Sequence, residues 1–471
     1  MNNKNWMLIL TCFGIAFLIL YRAYIIPFTH DESSTWLNLR YQNVWGCFFT
    51  PACWKSANNH WLNTILLQLS GNIGGELPLV LRMPNVLAGW SYVLCAALLV
   101  TQYLKNHWSQ LFGFSLVTFH FYLLDFFSLA RGYGLMVACV IWAAYCLLQY
   151  SQKIELKWLL WMIFSLFLSL LANFTALISV ASILSAWFIF IIFSRHYNLL
   201  WIHGKFILLF SLVCFFLFRL PLKVLSKSGE FEWGADGVKE MGKDLTKNLY
   251  SGVHLIKVTN FEILWWIIIT ALLVCLIFLV VSSQIRFKPQ IAILFLLLGL
   301  VFAFIVVFQL VTDTKAPIGR KSIFLIPFLF TPLALSQNLI KRTKIARIVG
   351  LIGSIVILSQ FLSVIKYQIN YSREWYYDAF YPELLSNIVP KGYASDSVKL
   401  GVSWVFVPSL TFYQKSQSLP ISELNYQKEL EIDSTMEYYY LESSDTTGFS
   451  SSPFIFEKMI GPFYLFKKKH D

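Results

Sequence analysis

Charge is what this chain has least of. Only 13% of its 471 residues are Asp, Glu, Lys or Arg, against 57% that are hydrophobic. A soluble protein of that length needs far more charge to cover its surface, which leaves a polytopic membrane protein. Metal and nucleic-acid signatures are missing too. No CxxC or His/Cys spacing typical of a structural zinc site occurs, and no zinc module, RNA motif or basic recognition helix accompanies the net charge of +12. The basic excess therefore speaks for membrane orientation and anionic lipid, and against nucleic acid. Internal repeats and low-complexity tracts are also absent. The first apolar run is too long for a signal h-region and has no small-residue cleavage site, so it is expected to stay as a membrane helix.

What the chain does have is a succession of long apolar runs. Hydropathy predicts about eleven transmembrane helices, over 6–26, 79–103, 108–124, 132–150, 158–172, 174–194, 206–220, 262–283, 290–311, 321–338 and 347–366. With the N-terminus inside, every inner connector is basic, from Lys105 through Lys153, Lys157, Arg195, Lys205, Arg286 and Lys288 to Lys341, Arg342, Lys344 and Arg347. Loops 27–78 and 221–261 and the C-terminal tail then lie outside. The six lysines of the second loop, Lys223 to Lys257, vote weakly because the loop is long, and they read as a solvated or lipid-facing stretch.

Composition shifts after Lys366. Residues 367–471 hold no long apolar run, and acidic side chains outnumber basic ones there. Val398 to Val407 and Met436 to Leu441 are rich in strand formers, and Tyr376 to Ile388 reads as a helix. The expected organisation is a membrane module over 1–366 and a small extracytoplasmic α/β domain over 367–471, in a multi-pass inner (plasma) membrane protein. Six of the eight cysteines fall in predicted spans, where they behave as small apolar side chains. Cys47 and Cys53 fall instead in the first outer loop, an oxidising setting, and a disulfide closing that turn is expected.

Four polar clusters share the outer side. His30-Asp31-Glu32 follows the first span, and Asn58-Asn59-His60 leads into the apolar Trp61 to Leu67. A short outer turn runs from Asp125 to Arg131 and Tyr133, and Lys315 to Lys321, with Arg320, precedes the tenth span. Carboxylates at a membrane mouth are expensive to desolvate and raise a functional hypothesis, although Asp31 and Glu32 also suit a plain helix cap. A carboxylate that takes a proton beside guanidinium groups that hold oxyanions is the set needed for general-base chemistry at a phosphate-linked centre. His60 suits a loop hydrogen bond as well as a substrate contact. Arg320 and Lys321 also suit snorkelling at a helix end. Arg82 beside Pro84 reads first as an interfacial anchor, and Tyr133 as core.

In these four clusters the sequence resembles the membrane glycosyltransferases of the C-type fold (GT-C), in particular the protein O-mannosyltransferase and lipid A arabinosyltransferase-like group, glycosyltransferase family 39 and relatives. Asp31-Glu32 matches that family's Asp-Glu pair in the first outer loop, and Asn59-His60-Trp61-Leu62 loosely matches its His-Pro-like segment. Leu81-Arg82-Met83-Pro84 matches its Arg-x-Pro start of the second span, and Ala130-Arg131-Gly132-Tyr133 its Ala-Arg-x-Tyr turn. The pattern covers about the first 150 residues, with thinner support from Arg320 to Pro327. Trp61 stands where the family has proline, and the C-terminal domain is unlike the repeats of eukaryotic mannosyltransferases.

The resemblance implies an inverting transfer from a polyprenyl-phosphate-sugar donor to a lipid, glycan or protein acceptor among membrane lipids. Asp31 would be the base and Glu32 its supporting neighbour or an acceptor ligand. Arg131 and Arg320 would hold phosphate, and Asp125 would orient a sugar hydroxyl or help place Arg131. No definite cofactor is required; a divalent metal bridging Asp31 to the donor phosphate is compatible with the pattern, though no compact ligand set argues for it. The competing readings are a polysaccharide ligase or polymerase, suggested by the lysine-rich 221–261, and a lipid or sugar transporter. A transporter would show polar or broken span centres, whereas these span centres are largely apolar.

Overall fold

The computed structural model describes residues 6–50, 59–229, 232–250, 260–281, 289–340, 343–389, 398–416, 419–426, 432–449 and 452–469. The chain divides into two compact units, the first formed by Met1–Ala23, Asn43–Leu66 and Arg82–Ile369 and the second by Tyr24–Gln42, Leu67–Leu81 and Asn370–Asp471.

Long apolar stretches can satisfy their backbone polar groups in lipid only by closing them within the segment, which makes helices. In chain order these are α1 (Trp6–Ile25), α2 (His30–Leu39), α3 (Val44–Phe48), α4 (Trp61–Gly74), α5 (Pro78–Tyr103), α6 (His107–Thr118) and α7 (Phe121–Ser128). They continue with α8 (Gly132–Gln152), α9 (Leu156–Ala172), α10 (Ala176–Phe193), α11 (Tyr197–Lys227), α12 (Val238–Tyr250), α13 (Phe261–Val281), α14 (Pro289–Thr312), α15 (Leu325–Ser336) and α16 (Thr343–Gln368). Among the described residues eight helices, α1, α5, α8, α10, α11, α13, α14 and α16, are long and apolar enough to cross a membrane. The protein is a polytopic α-helical membrane protein. The remaining predicted windows fall on the shorter apolar helices α9 and α15 and on the pair α6–α7.

That pair corrects the sequence expectation of an unbroken span over 108–124. It bends by 63° at Phe119-His120, with neither proline nor glycine at the break. The His120 ring sits with Nε2 2.7 Å from the Leu116 carbonyl at the end of α6, and the His120 backbone is extended. A side chain that takes over a freed carbonyl is a recognised cause of a kink. Asp125, expected on a short outer turn, accordingly lies inside α7. Asn173 separates α9 from α10 as its own side chain dictates: its Oδ1 accepts from the Thr175 N–H and hydroxyl, both at 2.9 Å. Helices approach closely where side chains are small. A Cβ at Gly350 of α16 would stand 2.7 Å from the Trp108 backbone of α6. Within the long connection 221–261, α12 buries Met241, Leu245 and Leu249 at helical spacing, the amphipathic pattern of a surface helix.

The second unit carries α2 and a five-stranded sheet. Its C-terminal part runs α17 (Tyr381–Ile388), β1 (Val398–Val402), α18 (Val407–Ser416), β2 (Ile421–Tyr426), β3 (Tyr438–Leu441), β4 (Phe454–Ile460) and β5 (Phe463–Lys468). Strand order is β2-β1-β3-β5-β4, with β1 parallel to β2 and β3 and the last pairings antiparallel. Parallel β1 and β2 need a crossover, and α18 supplies it. Leu400, Val402, Phe406, Leu410, Tyr440 and Leu465 form the core with Leu384 and Ile388 of α17. Gly461, at φ +58°, turns β4 into β5 in two residues, a conformation that glycine adopts without strain. The expected Cys47–Cys53 disulfide lies outside the described residues.

Candidate active site

Asp31 and Glu32 occupy the first turn of α2 in the second unit. Thr29, extended at φ −79° and ψ 164°, is the residue before the helix. Its N–H and its hydroxyl both donate to Glu32 Oε2 at 2.9 Å. This capping box engages one oxygen of Glu32, which is fully buried. Asp31, one position earlier, is 7% exposed. The pair thus divides, with Glu32 closing the helix and Asp31 left nearer the surface. Trp36, on the same helix, packs where Gly71 has no side chain; a Cβ there would stand 2.3 Å from the indole.

The first unit gathers His60, Arg131, Tyr133 and Arg320. Arg131 ends the α7–α8 turn as the residue before α8. Asn63 of α4 fixes that turn by donating to the Ala130 carbonyl at 2.9 Å, and Asn85 of α5 donates to Asn63 Oδ1 at 3.0 Å. Gly132 is required here, because a Cβ would stand 2.0 Å from the Ala172 carbonyl and 2.6 Å from His60. Arg131 Nη2 lies 3.3 Å from His60 Nε2. A guanidinium only donates, so Nε2 is the bare nitrogen of a neutral ring, and the His60 ring also bonds the Ala172 carbonyl. Burial first, then the Arg131 and Arg320 charges, hold His60 well below the usual imidazole range. Tyr133 meets His60 edge-on at 4.8 Å, and the Arg320 guanidinium lies 5.8 Å from the Tyr133 ring centre. Arg320 sits in a 3-10 turn, Gly319–Ser322, whose first N–H donates to Asp244 of α12 at 2.6 Å.

Asp125 is brought to a partner that sequence reasoning did not name. It forms a buried ion pair with Arg22 of α1. Arg22 also donates to the Gln368 and Ile369 carbonyls at 2.6 and 3.1 Å and stacks 4.2 Å from the Phe121 ring centre. The signal was present, since an arginine inside the first apolar run is expensive unless it is paired. Arg82 donates to the Ala23 carbonyl at 3.0 Å.

Beside His60 and Tyr133 the first unit contains a cavity of about 660 Å³. Leucines of α9 and α11, Ile178 and Phe308 make much of its wall, while Lys223, Lys315 and Lys321 line it with Glu232. Lys223, in the last turns of α11, belongs to the lysine-rich stretch that the sequence read as a solvated or lipid-facing loop. Next to the cavity the segments around Ala235 and Ala316 are joined by the Lys315–Asp236 ion pair and an Ala235–Ala316 bridge. Among the described residues no group of three or more His, Cys, Asp or Glu side chains could hold a metal ion.

This arrangement is the C-type glycosyltransferase fold, GT-C. Two solved structures of ArnT from Cupriavidus metallidurans share it. One, in the apo state, matches at TM-score 0.56 and 9% identity over 97% of both chains; the other, bound to undecaprenyl phosphate, matches at TM-score 0.52 and 8% identity over 98% of both. No family model and no curated protein matches the sequence.

Proposed function

We propose that the protein is an inverting glycosyltransferase that moves a sugar from a polyprenyl-phosphate-linked donor to a lipid, glycan or protein acceptor at the outer membrane–water interface. The observation that carries this reading is the 660 Å³ cavity, whose apolar wall suits an isoprenoid chain and whose lysines, with the nearby guanidinium groups, suit a phosphate. Undecaprenyl phosphate, the ligand of one ArnT structure, has that chemistry.

The acceptor hydroxyl oxygen attacks the anomeric carbon from the face opposite the donor phosphate, which inverts the centre. The bond from that carbon to the phosphate oxygen breaks, and its electron pair leaves with the phosphate. Asp31 takes the hydroxyl proton as general base. Arg131 and Arg320 hold the departing phosphate by charge-assisted hydrogen bonds. Neutral His60 accepts from Arg131 and so orients it, and Glu32 keeps the Asp31 turn closed. Asp125 acts at one remove, by neutralising Arg22. In this reading the N-terminus is inside, and the active site and residues 367–471 face the extracytoplasmic side. Lys223 on the cavity wall keeps a ligase or polymerase that uses the same donor as the second reading. The test is incubation of purified protein with a delipidation extract of native membranes as the acceptor source and with undecaprenyl phosphate carrying each of several labelled pentoses and hexoses. Consumption of one donor with release of undecaprenyl phosphate is expected; binding of undecaprenyl phosphate without consumption of any donor would favour transport.

A further inference from the structure

The first turn of α2 is held by residues more than three hundred positions away in the chain. Three successive backbone N–H groups open this helix. The Thr29 N–H goes to Glu32, as described, but its neighbours are satisfied by the C-terminal part of the same unit. The Phe28 N–H donates to the Tyr413 hydroxyl of α18 at 2.6 Å, and the His30 N–H donates to Asp378 Oδ2 at 2.8 Å. The His30 ring adds a bond of 2.7 Å between Nδ1 and the Val405 carbonyl. A carbonyl only accepts, so Nδ1 carries the proton. Helix starts leave N–H groups without intrahelical partners, and here they are met by a distant carboxylate and a distant phenol.

Asp378 is the hub. It is 1% exposed, and its Oδ1 accepts from the Tyr381 hydroxyl at 2.6 Å and the Ser409 hydroxyl at 2.9 Å. A carboxylate at a helix N-terminus also meets the positive end of the helix dipole. Glu32 of α2 is the charged group that acts on it, while Tyr381 of α17 and Tyr440 of β3 are phenols kept neutral by burial, with the Asp378 charge further opposing their ionisation. Burial pushes its carboxyl up to about 7, and the Glu32 charge adds to this against the three hydrogen bonds.

We infer that Asp378 is a positioning residue for the transfer reaction: by clamping the His30 N–H it fixes the turn from which Asp31 reaches the acceptor hydroxyl. This inference rests on the proposed role of Asp31. It predicts that removing the clamp leaves the donor site intact and lowers turnover.

The experiment uses the full chain in lipid nanodiscs, with Asp378→Ala and Asp378→Asn. Hydrogen exchange of peptides covering 28–36 should quicken by about tenfold or more in Asp378→Ala, while peptides from β3 and β5 keep wild-type protection. Turnover of the labelled donor should fall roughly a hundredfold, the scale expected when a catalytic group is slightly misplaced. Undecaprenyl phosphate affinity should stay within about twofold, because a purely local release leaves that site alone. Asp378→Asn keeps one acceptor oxygen, so it should restore most of the turnover and lose the pH dependence that ionisation of Asp378 imposes on wild-type turnover near neutrality. If Asp378→Ala loosens β3 and β5 as well, Asp378→Asn decides alone through that change in pH profile. Unchanged exchange over 28–36, or wild-type turnover with the turn released, would overturn the inference. Absence of turnover in the wild type would instead overturn the proposed function, and the exchange measurement would still decide the clamp.

Discussion

At the residue scale, Asp31 and Glu32 look interchangeable in the sequence and are not so in the fold. Glu32 Oε2 is taken by Thr29, so Glu32→Ala should cost about 1 kcal/mol of stability, the usual worth of a cap, and thermal unfolding would report it. Glu32→Gln keeps an acceptor oxygen and should do less. Asp31→Asn should unfold at the wild-type temperature yet lose about a hundredfold or more in turnover of lipid-linked sugar, the scale of a missing general base. Near-normal turnover would leave Asp31 as a first-turn residue only and move the base to another carboxylate. Arg131→Lys keeps charge but not the planar fork, so donor use should weaken substantially with expression unchanged. Wild-type donor affinity in Arg131→Ala would make Arg131 a structural anchor and favour Arg320. Asp378 sets a pH sign. Its folded carboxyl titrates near 7 against an ordinary value of 3.8, so the stability it contributes is complete below the ordinary value and is lost as pH rises through 7. Between those limits the folded state of the wild type should weaken with rising pH more steeply than that of Asp378→Asn, measured by thermal unfolding across that range.

At the element scale, legibility followed period and length. The long helices were readable because an apolar run of membrane length has few other outcomes. The break between α6 and α7 was not, because a His120 ring capping a carbonyl is a tertiary arrangement written into an otherwise apolar stretch. Strand character was visible in Val398 to Val407 and Met436 to Leu441, although β1 ends at Val402 and the chain then winds through a 3-10 turn into α18, and β3 starts at Tyr438. The order of the sheet was not visible, since pairing between distant strands has no local signal. The site was partly legible for the same reason. Arg131, His60 and Arg320 were picked out as polar exceptions, whereas Asn63, Asn85 and Asp378 carry no local mark that separates them from ordinary polar residues. Gly132 tests how tightly the α7–α8 turn is built. Gly132→Ala would drive a methyl group into the Ala172 carbonyl, so it should lower the unfolding temperature and shift Arg131. Overpacking of this kind typically costs about 1–3 kcal/mol. A wild-type melting profile would show that the turn has room.

At the scale of the whole molecule, the orientation proposed from the basic connectors has a direct check. In a cysteine-depleted background, thiols introduced at Gln152 and Ser444, both exposed, should be labelled by an impermeant reagent from opposite sides of the membrane. Labelling from one side would break the assignment of residues 367–471 to the extracytoplasmic face.

The clamp on α2 also sets a clock. His30 and Asp378 are 348 residues apart, so at about 5–20 residues per second of synthesis the carboxylate follows its N–H partner by roughly 20 to 70 s. Throughout that interval the nascent chain has its first helix and then span after span, while the turn bearing Asp31 lacks its anchor. A ribosome that stops before Asp378 therefore releases a chain that is already inserted and still unfinished at the turn after its first span, and a quality-control protease would find residues 28–36 open to cleavage.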